Sequence, residues 1–185
     1  MGAGLSGLAC AITLERNGFN PYIFEKRSEV GDRFINCEIM LPLLSSPIKD
    51  EIKYLAEKYK IFLKPQNNIF KLIIYSENEK AIIDGQLGFT NLRGRIHNSL
   101  EKQLANQLKN KIIFNSHLSY QTLSREFTHV VLATGDAAYA EKLNNYNKNL
   151  TVMLKGAIVK GEFSSNTVYA WLDNKLAPGG YAYLI

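Results

Sequence analysis

The chain has 185 residues, 46% hydrophobic, 21% charged and 11% aromatic, which excludes intrinsic disorder and collagen-like structure and suits one soluble globular unit with a sizeable core. Twenty-two Lys and Arg against seventeen Asp and Glu leave a net charge of +5. The basic residues are scattered without arginine–aromatic interleaving, which argues against a nucleic-acid groove; a solvated basic surface is the plainer reading, with a phosphate-bearing ligand or an anionic membrane surface as the alternative use of the excess.

A glycine-rich turn opens the chain, and Leu5, Leu8, Ala9, Ile12 and Leu14 follow at helical spacing up to Asn17-Gly18. Gly18 suits the left-handed residue that ends a helix. Pro21-Tyr22-Ile23-Phe24 then reads as a short buried strand. Residues 28 to 47, broken by Gly31, Pro42 and Pro47, read as irregular. Ile48, Ile52, Leu55 and Tyr59 predict a surface helix over about 48–60. Phe70 to Tyr75 and Lys80 to Ile83, joined by Ser76-Glu77-Asn78-Glu79, predict a hairpin. Ile96, Leu100, Leu104 and Leu108 at spacing four predict a helix over about 94–109. Ile112-Ile113-Phe114 and Val130-Val131-Leu132-Ala133 suit strands buried on both faces, with a weaker strand over Leu118 to Leu123. A polar loop covers 142–149, strands dominate from there on, and no internal repeat is visible.

Gly2-Ala3-Gly4-Leu5-Ser6-Gly7 matches G-x-G-x-x-G. In such a turn the first glycine permits the bend, the second lets backbone approach a pyrophosphate and the third lets helix pack on strand, while the helix N-terminus points amides at the anion. Glu25 lies eighteen residues past Gly7, at the end of the Tyr22-Ile23-Phe24 strand, where a carboxylate can accept bonds from ribose hydroxyls. Turn, helix, strand and terminal acid in that order point to a dinucleotide site more specifically than glycines alone; the bland reading is a structural glycine turn. This unit does not separate NAD from FAD.

Two further segments bear on that choice: Val130-Val131-Leu132-Ala133-Thr134-Gly135, a strand ending in Ala-Thr-Gly, and Glu29-Val30-Gly31-Asp32-Arg33-Phe34, a turn with an arginine after the acidic strand end. With them the chain resembles the flavoprotein oxidoreductases of the glutathione-reductase-like FAD superfamily. Ala177-Pro178-Gly179-Gly180-Tyr181-Ala182-Tyr183-Leu184-Ile185 is similar to the P-x-G-Y-x-W motif of geranylgeranyl reductases, with Tyr183 in place of Trp. The element order also resembles the para-hydroxybenzoate hydroxylase-like monooxygenases.

The resemblance implies an α/β fold: a Rossmann-type FAD domain from 1–60 and 87–140, and a mostly antiparallel β-rich substrate domain from 61–86 and 141–185. It implies FAD as cofactor, with NAD(P)H a candidate electron donor. Gly2, Gly4, Ser6 and Gly7 would face the pyrophosphate, Glu25 the adenosine ribose and Lys26 the adenine side. Arg33 and Arg93 would lie near flavin or pyrophosphate, and Thr134 and Gly135 would complete the cofactor site. Arg93-Gly94-Arg95 is read as opening a helix, where a cation needs an anionic partner. The family's first strand, ahead of Gly2, and its late G-D segment are missing, so the chain is expected to be truncated at both ends, to hold FAD poorly and to be an inactive remnant in one reading. Asp136 spells Gly-Asp in the wrong place and is read as a loop residue.

The implied reaction is hydride transfer between reduced flavin and an apolar, prenyl-like small molecule; an aromatic monooxygenase of the same fold is the alternative. Cys37 stands where the reductases carry Cys-Gly, but Glu38 replaces the glycine, and a half-buried structural thiol is the plainer reading. Cys10 is read as core. Two cysteines make neither a disulfide scaffold nor a zinc site, and His97, His117 and His129 share no ligand spacing, so no metal is expected. Tyr169, Trp171, Tyr181 and Tyr183 line either an apolar pocket or ordinary sheet packing. No apolar run approaches a membrane span and no secretory signal is seen, which makes the cytoplasm the default location and leaves peripheral membrane contact open.

Overall fold

The computed structural model describes residues 1–32, 36–42, 45–135, 137–147, 149 and 155–185. The first helix, α1 (Leu5–Arg16), ends at Asn17 and is followed by Gly18 at φ +82°. The chain then enters β1 (Ile23–Phe24), which pairs in parallel with β5 (Ile112–Ile113). The parallel pattern continues past the strand ends: the Glu25 amide donates to Ile113 O at 2.9 Å, Ser116 N to Glu25 O at 2.9 Å and Asn115 N to Arg27 O at 3.0 Å. On the other side of β1, Gly2 N donates to Phe24 O at 2.8 Å, Met1 N donates to Val131 O at 2.8 Å, and Ala133 N donates to Met1 O at 2.8 Å. Backbone from 112–116, 23–27, 1–2 and 131–133 therefore lies side by side. The apolar stripe of α1 covers this layer: Leu8, Ala11 and Ile12 join Ala3, Ile23, Val30, Ile61 and Leu104 in one buried cluster.

The remaining strands form a mixed sheet in the order β2-β4-β3-β6-β7, built from β2 (Asn36–Met40), β3 (Asn67–Ser76), β4 (Lys80–Arg93), β6 (Thr167–Leu172) and β7 (Ala182–Leu184). The predicted hairpin is present as β3 and β4, both longer than their apolar runs. β3 and β6 are parallel; the other three pairings are antiparallel. The sheet runs across the expected 86/87 boundary, because β4 continues to Arg93 and takes β2 as its edge partner.

Four local expectations are corrected. Residues 28–47 are not wholly irregular, since Asn36–Met40 is a strand registered on Phe89–Arg93. The helix expected over 94–109 is α3 (Leu100–Ala105) alone: Gly94 and Asn98 hold φ of +98° and +69°, which is incompatible with a helix, and the Ser99 hydroxyl caps the shorter one by accepting from Lys102 N. Leu118–Leu123 holds no strand; Ser119 accepts from Thr122 N and starts α4 (Tyr120–Glu126), which buries Leu123. Val130–Ala133 is extended but not buried on both faces, with Val131 51% exposed, and Ile113 is likewise exposed on one side. The predicted surface helix is α2 (Glu51–Tyr59), capped by Asp50 accepting from Lys53 N at 2.8 Å and ended by Lys60 in the left-handed region. A last short helix, α5 (Ala137–Lys142), precedes the polar loop.

Candidate functional site

The glycine turn sits at the C-terminal end of the parallel layer, where β1 hands over to Glu25. Each of its glycines stands in a different environment. Gly2 has φ +100°, and a Cβ there would lie 2.4 Å from Ala133 O. A Cβ on Gly7 would lie 2.0 Å from Gly2 O and 3.2 Å from Ala133 Cβ. Both are glycine because backbone occupies the space. Gly4 differs: its φ of −80° is open to any residue, and a Cβ there would meet nothing within 4 Å. Among the described residues neither strain nor packing calls for glycine at position 4, so the space above it suits a close-approaching ligand. Gly4 is also the N-cap of α1 and supplies no side-chain cap, which leaves the first-turn amides of Leu5, Ser6 and Gly7 without intrahelical partners.

Glu25 closes the other side of the turn. It is buried, its Oε2 accepts from Ala3 N at 2.7 Å and its Oε1 from Arg27 N at 2.9 Å. A carboxylate oxygen has two acceptor positions, so each keeps one after bracing the turn. This brace involves Ala3, a residue that sequence reasoning passed over; the only trace in the sequence is that a small residue fits between the two glycines. Ala133 is the other omission: its carbonyl and Cβ pack on Gly2 and Gly7.

Ser6 is exposed at the helix mouth, and Lys26 is exposed beside Glu25. Thr134 N lies 3.2 Å from the position a Gly2 Cβ would take, and Gly135 has φ +69°, so Gly2, Gly4, Ser6, Gly7, Glu25, Lys26, Thr134 and Gly135 gather around one end of the layer. Arg33 and Asp136 lie outside the described residues.

Residues 1–37 match the family model of the NAD(P)-binding Rossmann-like domain. The match spans the turn, α1, β1 and Glu25, and it supports a dinucleotide-binding domain of the oxidoreductase type over that segment. No curated protein matches the chain.

Arg93 does not open a helix as its sequence setting suggests. It ends β4 and precedes no helix directly, since α3 begins at Leu100. Its Nε donates to Glu101 Oε1 at 2.7 Å, and its Nη1 pairs with Glu38. Its side chain is 13% exposed and that of Glu101 4%. Burial works against the guanidinium charge, but the two carboxylates outweigh it and its pKa is raised. A second set of charges flanks the Rossmann-like segment: Glu29 accepts from Lys102 at 2.5 Å, and Arg95 pairs with Asp32 and Glu29. The Lys102 hydrogen bond holds the Glu29 carboxyl below its ordinary range. Between these sets, Gly31 (φ +78°) presses on Gly94, where a Cβ would lie 2.1 Å from the Gly94 oxygen. This staple fixes Val30 in the buried cluster with Ala3 and Leu8.

Cys37 is half-buried on β2 and burial pushes its thiol pKa up, the reverse of what a nucleophile needs. Cys10 is also half-buried, not part of the fully buried cluster expected for it. The three histidines are exposed. Among the described residues no group of three or more His, Cys, Asp and Glu is placed to hold a metal ion, and no helix is long and apolar enough to cross a membrane.

Proposed function

We propose that this chain carries the FAD-binding segment of a glutathione-reductase-like flavoprotein oxidoreductase, with the reductase branch and an apolar, prenyl-like substrate as its closest chemistry. The observation that carries the dinucleotide reading is the open face of Gly4 at the head of α1, set opposite a carboxylate that already braces the same turn. When bound, FAD supplies the hydride chemistry; the protein supplies binding and orientation. The amides of the α1 first turn are suited to the pyrophosphate, and the spare acceptor positions of Glu25 to ribose hydroxyls. Lys26, Thr134 and Gly135 would complete the binding end. Arg93, neutralised by Glu38 and Glu101, would act by holding β2, β4 and α3 together.

The preference for FAD over NAD rests on the Ala-Thr-Gly segment lying against Gly2, as in the resembled superfamily. Equilibrium dialysis of the full chain against FAD, NAD and NADP tests the reading. FAD is expected to bind most tightly, and Glu25→Gln to weaken it about tenfold, the equivalent of one charged hydrogen bond at ~1.4 kcal/mol. Tighter binding of NAD would remove the flavin half of the proposal. Indifference of all three ligands to Glu25→Gln would remove the rest.

A further inference from the structure

Three helices end together on the side of the molecule away from the glycine turn. Arg16, in the last turn of α1, donates to Tyr59 O at 2.9 Å and also to Lys60 O, where α2 ends. Gln107, just past α3, donates to Phe62 O at 2.6 Å and accepts from Phe62 N at 2.9 Å. The Glu15 carboxylate accepts from Lys109 N and Asn110 N, both at 2.8 Å, and Asn110 Nδ2 donates to Pro21 O at 3.2 Å. These bonds join 15–21, 58–64 and 107–111 into one end of the molecule, separated from Gly4 by the length of α1, about 18 Å.

Charges that are scattered in the sequence converge here. Arg16, Lys58, Lys60, Lys64, Lys109 and Lys111 are all exposed, and among the described residues no carboxylate pairs with any of them. The acids nearby are engaged, Glu15 by the two amides and Glu57 by Lys53. Part of the positive charge serves the fold, because helix C-termini carry partial negative charge and Arg16 and Lys60 stand at two of them. Lys64 and Lys111 stand on no helix and have no such task. Two phenylalanines share this end, Phe19 at 64% and Phe62 at 60% exposure. Ile61 is buried and Leu63 packs on the core, so alternation turns Phe62 outward between Lys60 and Lys64, with the Arg16 guanidinium 5.7 Å from its ring centroid.

We propose that this end is a docking surface for an anionic lipid bilayer, with the cations against the headgroups and the Phe19 and Phe62 rings in the headgroup–acyl boundary. The glycine turn, at the opposite end of α1, stays open to solvent. Apolar rings set among long basic side chains suit that boundary, since the rings can enter it while the flexible stems let the charges reach lipid phosphates. Exposed phenylalanine alone would suit a neutral bilayer equally; the unpaired cations select an anionic one. A nucleic-acid strand would ask for rings in series along a groove, whereas Phe19 and Phe62 stand on separate loops.

Co-sedimentation of the full chain with vesicles of phosphatidylcholine containing about one-third phosphatidylserine tests the proposal. The chain is expected to bind these vesicles, to bind pure phosphatidylcholine vesicles about tenfold more weakly, and to be released by salt. A basic residue near an anionic surface contributes about fivefold, so Lys109→Gln combined with Lys111→Gln should weaken binding about 25-fold. Lys80→Gln combined with Lys175→Gln makes the same change in net charge at the far end of the ten-residue β3, roughly 30 Å away, and should leave binding unchanged. Phe19→Ser and Phe62→Ser should each weaken binding about fivefold or more, with the far-ultraviolet circular dichroism unchanged; if Phe62→Ser does not fold, Phe19→Ser decides. Failure to bind the anionic vesicles overturns the proposal, as does equal binding to the neutral ones or an equal loss from the two lysine pairs. Indifference to the phenylalanine changes would mark a purely electrostatic surface, such as one for an acidic protein, and displacement from the vesicles by single-stranded oligonucleotide at matched phosphate would mark a nucleic-acid surface; either result overturns it too.

Discussion

Two substitutions of the same kind, Gly7→Ala and Gly4→Ala, should separate a glycine kept for packing from one kept for a ligand. At Gly7 the new Cβ would lie 2.0 Å from Gly2 O, whereas real Cβ contacts essentially never fall below 3.0 Å. The head of α1 must therefore move about 1 Å away from the turn, and because the obstacle is backbone it cannot rotate aside. Overpacking of this kind costs about 1–3 kcal/mol. It also loosens Ala3, whose amide is held by Glu25. At Gly4 nothing lies within 4 Å and φ is −80°. Alanine there reduces unfolded-chain entropy, a gain of about 0.4–1 kcal/mol, offset by alanine's poorer N-cap preference of several tenths, so stability should move by less than ~0.5 kcal/mol. Urea denaturation of the two variants, with FAD dialysis alongside, measures both quantities. Gly7→Ala should lower the midpoint, while Gly4→Ala should keep it and weaken FAD at least tenfold. If Gly4→Ala destabilises as much as Gly7→Ala, or binds FAD like the parent chain, the assignment of Gly4 to a ligand fails.

Arg93→Met should cost about 3 kcal/mol because it leaves the buried Glu101 carboxylate without its cation, and the double variant Arg93→Met, Glu101→Leu should recover only part of that loss, since leucine cannot accept from the buried Gly94 amide that Glu101 Oε2 holds at 3.2 Å; Lys53→Ala, which breaks an exposed pair with Glu57, should cost less than ~0.5 kcal/mol in the same urea titrations. Asn91 is 1% exposed and neither polar atom of its side chain has a hydrogen-bond partner among the described residues, so Asn91→Leu should raise stability by about 1–3 kcal/mol; a loss would mean that those atoms are satisfied by a bound water or ligand. With its thiol pKa pushed up by burial, Cys37 stays protonated through neutral pH. Its iodoacetamide reaction, followed by peptide mass mapping, should be slower than that of a free cysteine at neutral pH and accelerate only above the usual thiol range.

The elements legible in the sequence are those whose determinants are local. The turn, α1 and β1 each carry their own signals within thirty residues, and the Ile52, Leu55 and Tyr59 spacing marks α2. β2 was invisible because its partner lies about fifty residues further on, and the charge on Glu38, which disguises a strand, is matched only by Arg93 on that partner. The leucine spacing over 94–109 was sound for packing, since Leu100 and Leu104 are buried and Leu108 packs on the core, yet two positive φ angles shortened the helix to Leu100–Ala105. Over Leu118–Leu123 the strand-like composition lost to one capping hydroxyl, that of Ser119.

The candidate site shows the same division. G-x-G-x-x-G states where glycines stand but not why, and the three positions turn out to answer to different neighbours: the 133–134 backbone for Gly2, the turn itself for Gly7, and, among the described residues, no packing atom within 4 Å of a Cβ for Gly4. The acid at position 25 is likewise two things at once, a brace on Ala3 and Arg27 with its hydrogen-bonded oxygens and a candidate acceptor with their remaining lone pairs. Because the brace is intramolecular, Glu25 should matter to stability even without ligand, whereas Gly4 should not. A side chain that serves both fold and ligand cannot by itself distinguish them, and it is the glycine without a structural reason that carries the functional information in this motif.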